Sequence, residues 1–181
     1  MLPFDLLEQL MSKDPQTYEH SWRVAGMAKI MASSVSLSES DTQDLIMGCY
    51  LHDIGKLLIP NRLLHKPTKL SRIEYDAVKK HTHYGVLLLN AVCSVSDSVI
   101  DTILFHHEWW DGTGYPHGRK QQQIPLFARI CAILDAYDCM TMARPYSSPI
   151  REDEALAELQ KQRGTQFDGE IVDLFLRLPP F

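Results

Sequence analysis

A helical pattern with a histidine on its apolar side runs from Asp14 to Ser34, with the sequence DPQTYEHSWRVAGMAKIMASS. Asp14 is a favourable N-cap residue, and Pro15 suits the first position of a helix. The apolar stripe follows His20 at offsets of four, seven and eleven residues, which are Val24, Met27 and Met31. Residues at these offsets share one helix face, so the pattern predicts a helix that turns His20 toward the protein interior.

The spacing of apolar residues is also helical in the rest of the chain, and no segment shows the alternating pattern of a paired strand. Ser71 and Glu74 form a capping box, and Asp168 is a plausible cap for the last helix. We therefore expect an all-α fold of the helical-bundle type, in a single domain covering residues 1–181. The other predicted helices are Leu6 to Met11, Ser40 to Asp53, Ser71 to Val92, Ser96 to His107, Pro125 to Met142, one after Pro149 and one after Gly164.

The composition excludes several classes of protein. Of the 181 residues, 45% are apolar and 23% are charged, as in ordinary globular proteins. A net charge of −5 argues against a general nucleic-acid surface, so an anionic substrate would need locally concentrated positive charge. No apolar run approaches the roughly 20 residues of a membrane helix, and no signal peptide is apparent, so we expect a cytoplasmic protein without membrane contact.

The four cysteines are widely spaced and show no C-x-x-C pattern. We interpret them as reduced, buried, structural thiols rather than metal ligands. They are Cys49, Cys93, Cys131 and Cys139.

Further histidines and carboxylates lie on predicted apolar stripes. His52 follows Leu45 and Cys49 at helical offsets, with Asp53 beside it, and a predicted stripe of Ile73, Ala77, His81, Gly85 and Leu88 carries another histidine. His83 falls on the opposite, solvent-facing side. The remaining polar residues at such positions are His106, His107 and Asp135, and Asp138 lies one turn after Asp135.

Taken alone, any one of these histidines would be interpreted as a structural core residue whose ring bonds a backbone carbonyl. Five imidazoles and two carboxylates in one core are costly without a ligand, because each unpaired polar group costs about 1–3 kcal/mol. Imidazole with carboxylate suits Fe, Mn, Ni, Co or Zn, and more than four ligands imply more than one ion. Asp53 is the candidate bridge between two ions, which would allow a metal-bridging hydroxide to act as nucleophile.

Two motifs resemble those of a known family. The run Leu51-His52-Asp53-Ile54-Gly55-Lys56 looks like the HD signature of metal-dependent phosphohydrolases. The run from His106 to Pro116, HHEWWDGTGYP, closely resembles the HHE-x-x-DG-x-GYP signature of HD-GYP domains. The resemblance covers about Tyr18 to Phe175, and it implies a helical phosphodiesterase that cleaves cyclic di-GMP.

The resemblance also implies roles for individual residues. Lys56 is expected to contact the scissile phosphate and, with Asp53, to take part in catalysis. Asp138 matches the second acid of a D-x-x-D pattern, expected to orient a ligand or water, with a direct catalytic role as the alternative. The implied metal ligands are His20, His52, Asp53, His81, His106, His107 and Asp135.

Substrate contacts are implied as well. Arg144 fits an Arg-Pro-Tyr pattern that holds the dinucleotide, although Ser147 stands where a basic residue commonly follows. Tyr115 is expected to face a guanine or a partner protein, or to pack its ring against the domain.

The chain departs from the family pattern at the position of a third-metal ligand. Family members with three metals carry a glutamate four residues before the first histidine, and here that residue is Gln16. We therefore expect a binuclear centre, with Fe or Mn favoured and Zn, Ni, Co or Mg as alternatives. The sensory domain that commonly precedes this module is not recognisable, which fits a standalone protein or a piece of a longer one.

Three functions remain open from the sequence. The first is hydrolysis of cyclic di-GMP to linear pGpG, with onward hydrolysis to GMP left undecided. The second is an HD phosphohydrolase for another nucleotide or phosphoester, which Ser147 permits. The third is a non-catalytic receptor that binds the dinucleotide or a protein partner through the loop Gly112 to Pro116.

Overall fold

The computed structural model describes residues 3–92, 94–142 and 149–178. Within this part the chain is helical without a β-strand, and the predicted all-α class is confirmed. None of the described helices combines the length and apolar content that a bilayer crossing needs. The helices are α1 (Pro3–Lys13), α2 (Pro15–Ser34), α3 (Glu39–Leu51), α4 (Asn61–Leu64), α5 (Arg72–Lys79), α6 (His81–Val92), α7 (Asp97–Phe105), α8 (Leu126–Thr141), α9 (Glu152–Lys161) and α10 (Gly169–Phe175).

Predicted caps start several of these helices. Asp14 accepts a hydrogen bond from the backbone N–H of Thr17 at the start of α2. Asp168 does the same for Glu170 at the start of α10. Ser71 and Glu74 form the predicted capping box of α5. These bonds satisfy N–H groups that have no partner within the helix, so the local sequence fixes where each helix begins.

The helices enclose two main apolar clusters. The larger one is built from α2, α3, α8, α9 and α10, and it includes the predicted stripe residues Val24, Met27 and Met31. The smaller one is built from α1, α3, α6 and α7. Helix α3 contributes to both clusters, and Ile54 directly after it belongs to the smaller one.

The predicted helix from Ser71 to Val92 is two helices in the structure, α5 and α6, separated at Lys80. Two side chains end α5 by bonding carbonyls near its C-terminus. The His81 ring bonds the carbonyl of Val78, and the Thr82 hydroxyl bonds that of Lys79. Because of this break, the predicted inward position of Ile73 is wrong: its side chain is 84% exposed.

A 3₁₀ helix, Ile54–Leu58, follows α3 and packs closely against α6. The approach is so tight that a Cβ atom on Gly55 would lie 1.9 Å from the carbonyl oxygen of His81. The absence of a side chain at Gly55 therefore allows the segment after α3 to lie directly on the start of α6.

We predict that Gly55→Ala lowers the free energy of unfolding by about 3 kcal/mol, because the added methyl group would force the two backbones apart. Gly26→Ala is the matched control. Gly26 is exposed within α2 and a Cβ there meets nothing within 4 Å, so alanine should raise stability by about 1 kcal/mol. Urea denaturation of metal-free protein measures both, and equal stability of the two variants would contradict this account.

Candidate metal centre

The structure brings all seven predicted metal ligands together. His20 comes from α2 and Asp135 from α8, whereas His52 and Asp53 follow the end of α3. His81 begins α6, and His106 and His107 follow the end of α7. Chain segments distant in sequence therefore supply side chains to one place.

The first group of ligand atoms surrounds His20. Its Nε2 atom lies 3.2 Å from Nε2 of His52 and 3.1 Å from an oxygen of Asp135. Nε2 of His52 lies 3.4 Å from Oδ2 of Asp53. His20, His52 and Asp53 are all buried and offer ligand atoms within 4.8 Å of one another.

The second group consists of His81, His106 and His107, whose ligand atoms also lie within 4.8 Å of one another. Nε2 of His81 lies 3.4 Å from Nε2 of His106 and 3.4 Å from Oδ1 of Asp53. One oxygen of Asp53 thus faces the first group, and the other oxygen faces the second group.

Hydrogen bonds at Nδ1 fix the direction of three imidazoles. His52 bonds the carbonyl of Cys49 at 2.7 Å, His81 bonds that of Val78 at 2.8 Å, and His106 bonds that of Ile103 at 2.9 Å. In each pair the carbonyl lies three residues before the histidine, near the end of a helix. Donation from Nδ1 leaves Nε2 unprotonated in a neutral ring, with its lone pair directed into the cluster.

The protonation states fit a cation in this place. Burial lowers the pKa of His81 to about 4 and holds the pKa of His106 well below its ordinary value. Burial pushes the pKa of Asp53 upward, but the charge of Lys56 and the contacts with His52 outweigh it and hold that pKa well below its ordinary value. Neutral imidazole lone pairs and an ionised carboxylate thus converge at 3.4 Å, an unfavourable arrangement that a bound metal ion relieves.

The buried carboxylate of Asp138, paired with the half-buried Arg23, supports His20. Nδ1 of His20 donates to Asp138 at 2.6 Å, and Arg23 donates to both oxygens of Asp138 at 2.6 and 2.9 Å. Burial lowers the pKa of His20, but hydrogen bonds to Asp135 and Asp138 outweigh burial and raise that pKa. Asp138 therefore orients His20 from outside the cluster.

Sequence reasoning did not identify Arg23 as part of the site. The available signal was its spacing, because Arg23 follows His20 by three residues and lies on a neighbouring line of the same helix. Its charge compensates the buried carboxylate of Asp138.

The 3₁₀ helix after Asp53 places Lys56 against the cluster. Nζ of Lys56 lies 2.6 Å from Oδ2 of Asp53, and the side chain remains 19% exposed. Lys56 thus combines contact with a candidate ligand and access to solvent.

The Gly-rich loop after His107 folds back over that residue. The N–H of Tyr115 donates to the carbonyl of His107 at 3.0 Å, and the Tyr115 ring lies 4.8 Å from the His107 ring. Gly114 permits this path, because a Cβ there would lie 2.2 Å from the backbone nitrogen of Trp109. Glu108 is buried and accepts a hydrogen bond from the N–H of His117, which holds the loop. Tyr115 therefore packs its ring against the domain, one of the orientations considered from the sequence.

The cysteines differ in environment. Cys49 and Cys131 are buried and free, as expected, and Cys93 lies outside the described residues. Cys139 is half-buried, and its thiol donates to Asp135 at 3.0 Å. Together with His20 and Asp135, Cys139 forms a third group of ligand atoms within 4.8 Å of one another.

Of three other positions named from the sequence, only Gln16 lies within the described residues. Arg144, which carries the predicted Arg-Pro-Tyr contact, and Ser147 lie outside the described residues. Gln16 is exposed in the first turn of α2, one turn before His20.

Comparisons with known proteins identify the family of this chain. A family model described as HD domain matches residues 5–171. The chain is 36% identical over 180 residues to a cyclic di-GMP phosphodiesterase of Thermotoga maritima, covering 97% of this chain and 49% of that protein. It is 35% identical over 179 residues to a 3'3'-cGAMP-specific phosphodiesterase of Vibrio cholerae, covering 97% of this chain and 34% of that protein.

A solved structure shows the same fold. An HDG"Y"P protein from Bdellovibrio bacteriovorus superposes with a TM-score of 0.72 at 22% identity, covering 89% of this chain and 51% of that one. The chain therefore belongs to the HD domain family, and its resemblance to the HD-GYP branch is confirmed. It spans about half the length of the Thermotoga relative and about a third of the Vibrio relative.

We expect metal-free protein to bind about two Mn²⁺ or Zn²⁺ ions per chain, with a higher unfolding temperature in the presence of metal. His106→Ala should lose about one of them, because it removes a ligand from the second group. His83→Ala is the control, since His83 is exposed on the opposite side of α6. Elemental analysis after desalting measures both, and unchanged metal content in His106→Ala would refute the assignment.

Proposed function

We propose that this chain is the catalytic part of a metal-dependent phosphodiesterase that hydrolyses cyclic di-GMP to linear pGpG. The observation that carries the proposal is the position of Asp53, whose two oxygens face two separate histidine groups. A carboxylate in this position suits a pair of metal ions, and paired ions suit phosphodiester hydrolysis.

We assign the metal ligands as two sets that share Asp53. His20, His52 and Asp135 would hold one ion, and His81, His106 and His107 would hold the other. When bound, such a pair supplies Lewis acidity and a water molecule that loses its proton near neutral pH. Nitrogen and oxygen ligands favour Fe or Mn, with Zn, Ni, Co or Mg as alternatives. The neutral amide of Gln16 favours two ions over three.

Protein side chains would then perform the other tasks. Lys56 lies beside Asp53 with its ammonium group partly open to solvent, so it can contact a non-bridging phosphate oxygen and stabilise charge there. Asp138 would keep His20 in the tautomer that leaves Nε2 free, with Arg23 compensating its charge. Tyr115 would form one wall of the site, and its loop from Gly112 to Pro116 is a candidate contact for a protein partner.

The names of the relatives support a cyclic dinucleotide as substrate. They do not distinguish between cyclic di-GMP and 3'3'-cGAMP. The cyclic di-GMP phosphodiesterase and the 3'3'-cGAMP-specific phosphodiesterase are 36% and 35% identical to this chain. We therefore propose 3'3'-cGAMP as a second candidate substrate.

The proposal is tested by turnover with protein purified without oxygen and loaded with Fe or Mn. Asp53→Asn should lower kcat for cyclic di-GMP by about a thousandfold or more, because it weakens both ligand sets and breaks the pairing with Lys56. Asp153→Asn, which neutralises an exposed carboxylate on α9, should keep full activity. Chromatography of products separates pGpG from GMP.

The same assay with 3'3'-cGAMP and with simple phosphomonoesters separates the competing functions. Higher kcat/KM for 3'3'-cGAMP would select the second candidate. Tight binding of cyclic di-GMP by metal-loaded protein without cleavage would contradict the enzyme proposal and favour a receptor.

A further inference from the structure

The segment between Asp53 and His81 concentrates positive charge in an otherwise acidic chain. Residues 56–80 hold seven Lys or Arg and two acidic residues, whereas the whole chain has a net charge of −5. The basic residues are Lys56, Arg62, Lys66, Lys69, Arg72, Lys79 and Lys80. The segment therefore supplies the local positive charge that an anionic substrate needs in this protein.

Both ends of this segment are attached to the candidate metal centre. Asp53 precedes its first residue closely, and His81 follows its last residue. Gly55 lies against the backbone of His81 and Gly85, which holds the two ends together. Helix α5, in contrast, has no buried residue, so it lies on the surface beside the site.

Lys79 is the basic residue of α5 that approaches the site. Its Nζ atom lies 4.7 Å from the centre of the Tyr75 ring and 5.2 Å from the centre of the Tyr115 ring. The Tyr115 ring in turn lies against the His107 ring, with the ring centres 4.8 Å apart. One aromatic ring therefore separates the Lys79 ammonium group from a candidate metal ligand.

The charge of Lys79 is only weakly compensated by neighbouring acids. Lys66 donates to both oxygens of Glu74, at 2.8 and 2.6 Å. Among the described acidic residues, Lys79 contacts only Asp76, at a longer 3.3 Å, and the Asp76 side chain is 55% exposed. An exposed pair of this kind is worth little in water, so a phosphate group can replace it.

We propose that Lys79 binds the second phosphate of a cyclic dinucleotide, the one that is not cleaved, while Tyr75 and Tyr115 hold its side chain. The assignment rests on the proposed function. A cyclic dinucleotide carries two phosphates in one macrocycle, so binding of one phosphate beside Lys56 brings the other to the rim of the site. An ammonium group held over two aromatic rings at that rim is a suitable partner for it.

Lys80 provides a matched control. It carries the same charge, adjoins Lys79 in the chain and is exposed at the end of α5, and no contact with either tyrosine ring is found for it in the described residues. A general attraction between the basic segment and an anion would depend on both lysines, whereas a specific contact would depend on Lys79 alone.

The experiment compares Lys79→Gln and Lys80→Gln in the metal-loaded full chain with two substrates. Cyclic di-GMP has two phosphates, whereas bis(p-nitrophenyl) phosphate has one. We expect Lys79→Gln to raise KM for cyclic di-GMP by about tenfold or more, with kcat within about twofold, because a charge-assisted contact is lost. Its kinetics with bis(p-nitrophenyl) phosphate should not change. Lys80→Gln should leave both substrates unaffected, and Lys79→Arg should largely restore KM.

Each contrary result has a distinct meaning. Equal losses on both substrates, or equal effects of the two lysine variants, would overturn the assignment of Lys79 to the second phosphate. Unchanged KM for cyclic di-GMP in Lys79→Gln would overturn it as well. Cleavage of bis(p-nitrophenyl) phosphate without cleavage of any cyclic dinucleotide by the unaltered protein would instead refute the proposed function, and the assignment with it.

Discussion

The Asp53 carboxylate lies buried among three imidazoles and one ammonium group, and a charge in that position is costly unless its neighbours compensate it. Lys56 provides part of the compensation at 2.6 Å. The rest of the compensation would come from a cation bound in the space toward which the Nε2 atoms of the histidines point. This requirement connects α2 and the end of α3 with the start of α6, so the packing of these helices and the chemistry of the site constrain each other.

Much of this arrangement could be predicted from helical periodicity. His20, His52 and His81 occur at apolar-stripe positions, and a helix has only one direction in which to bury such a stripe. The Gly-rich motif after His107 fixed the family resemblance. The same reasoning failed for Ile73, because it assumed that α5 and α6 form one helix. Periodicity contains no information about side chains that bond carbonyls and end a helix, as His81 and Thr82 do here.

Contacts between separate helices also could not be predicted from the sequence. The pairing of Arg23 with Asp138 joins α2 to α8, residues 115 positions apart in the chain. The approach of Lys79 to Tyr115 joins α5 to the loop after α7. Such pairs depend on how helices pack, and a single sequence shows only which residues share a face of one helix.

The bond from a histidine ring to the carbonyl three residues earlier occurs at His52, His81 and His106. A helix end leaves such carbonyls without partners, so each imidazole bonds a carbonyl of the helix before it and directs its other nitrogen into the cluster. The direction of the ligand is then a property of a few consecutive residues rather than of the whole fold. A helix terminus of this kind is a transferable unit: placed in an unrelated helical scaffold, it would bring an oriented imidazole with it, and a designer would need to arrange only the meeting of several such ends.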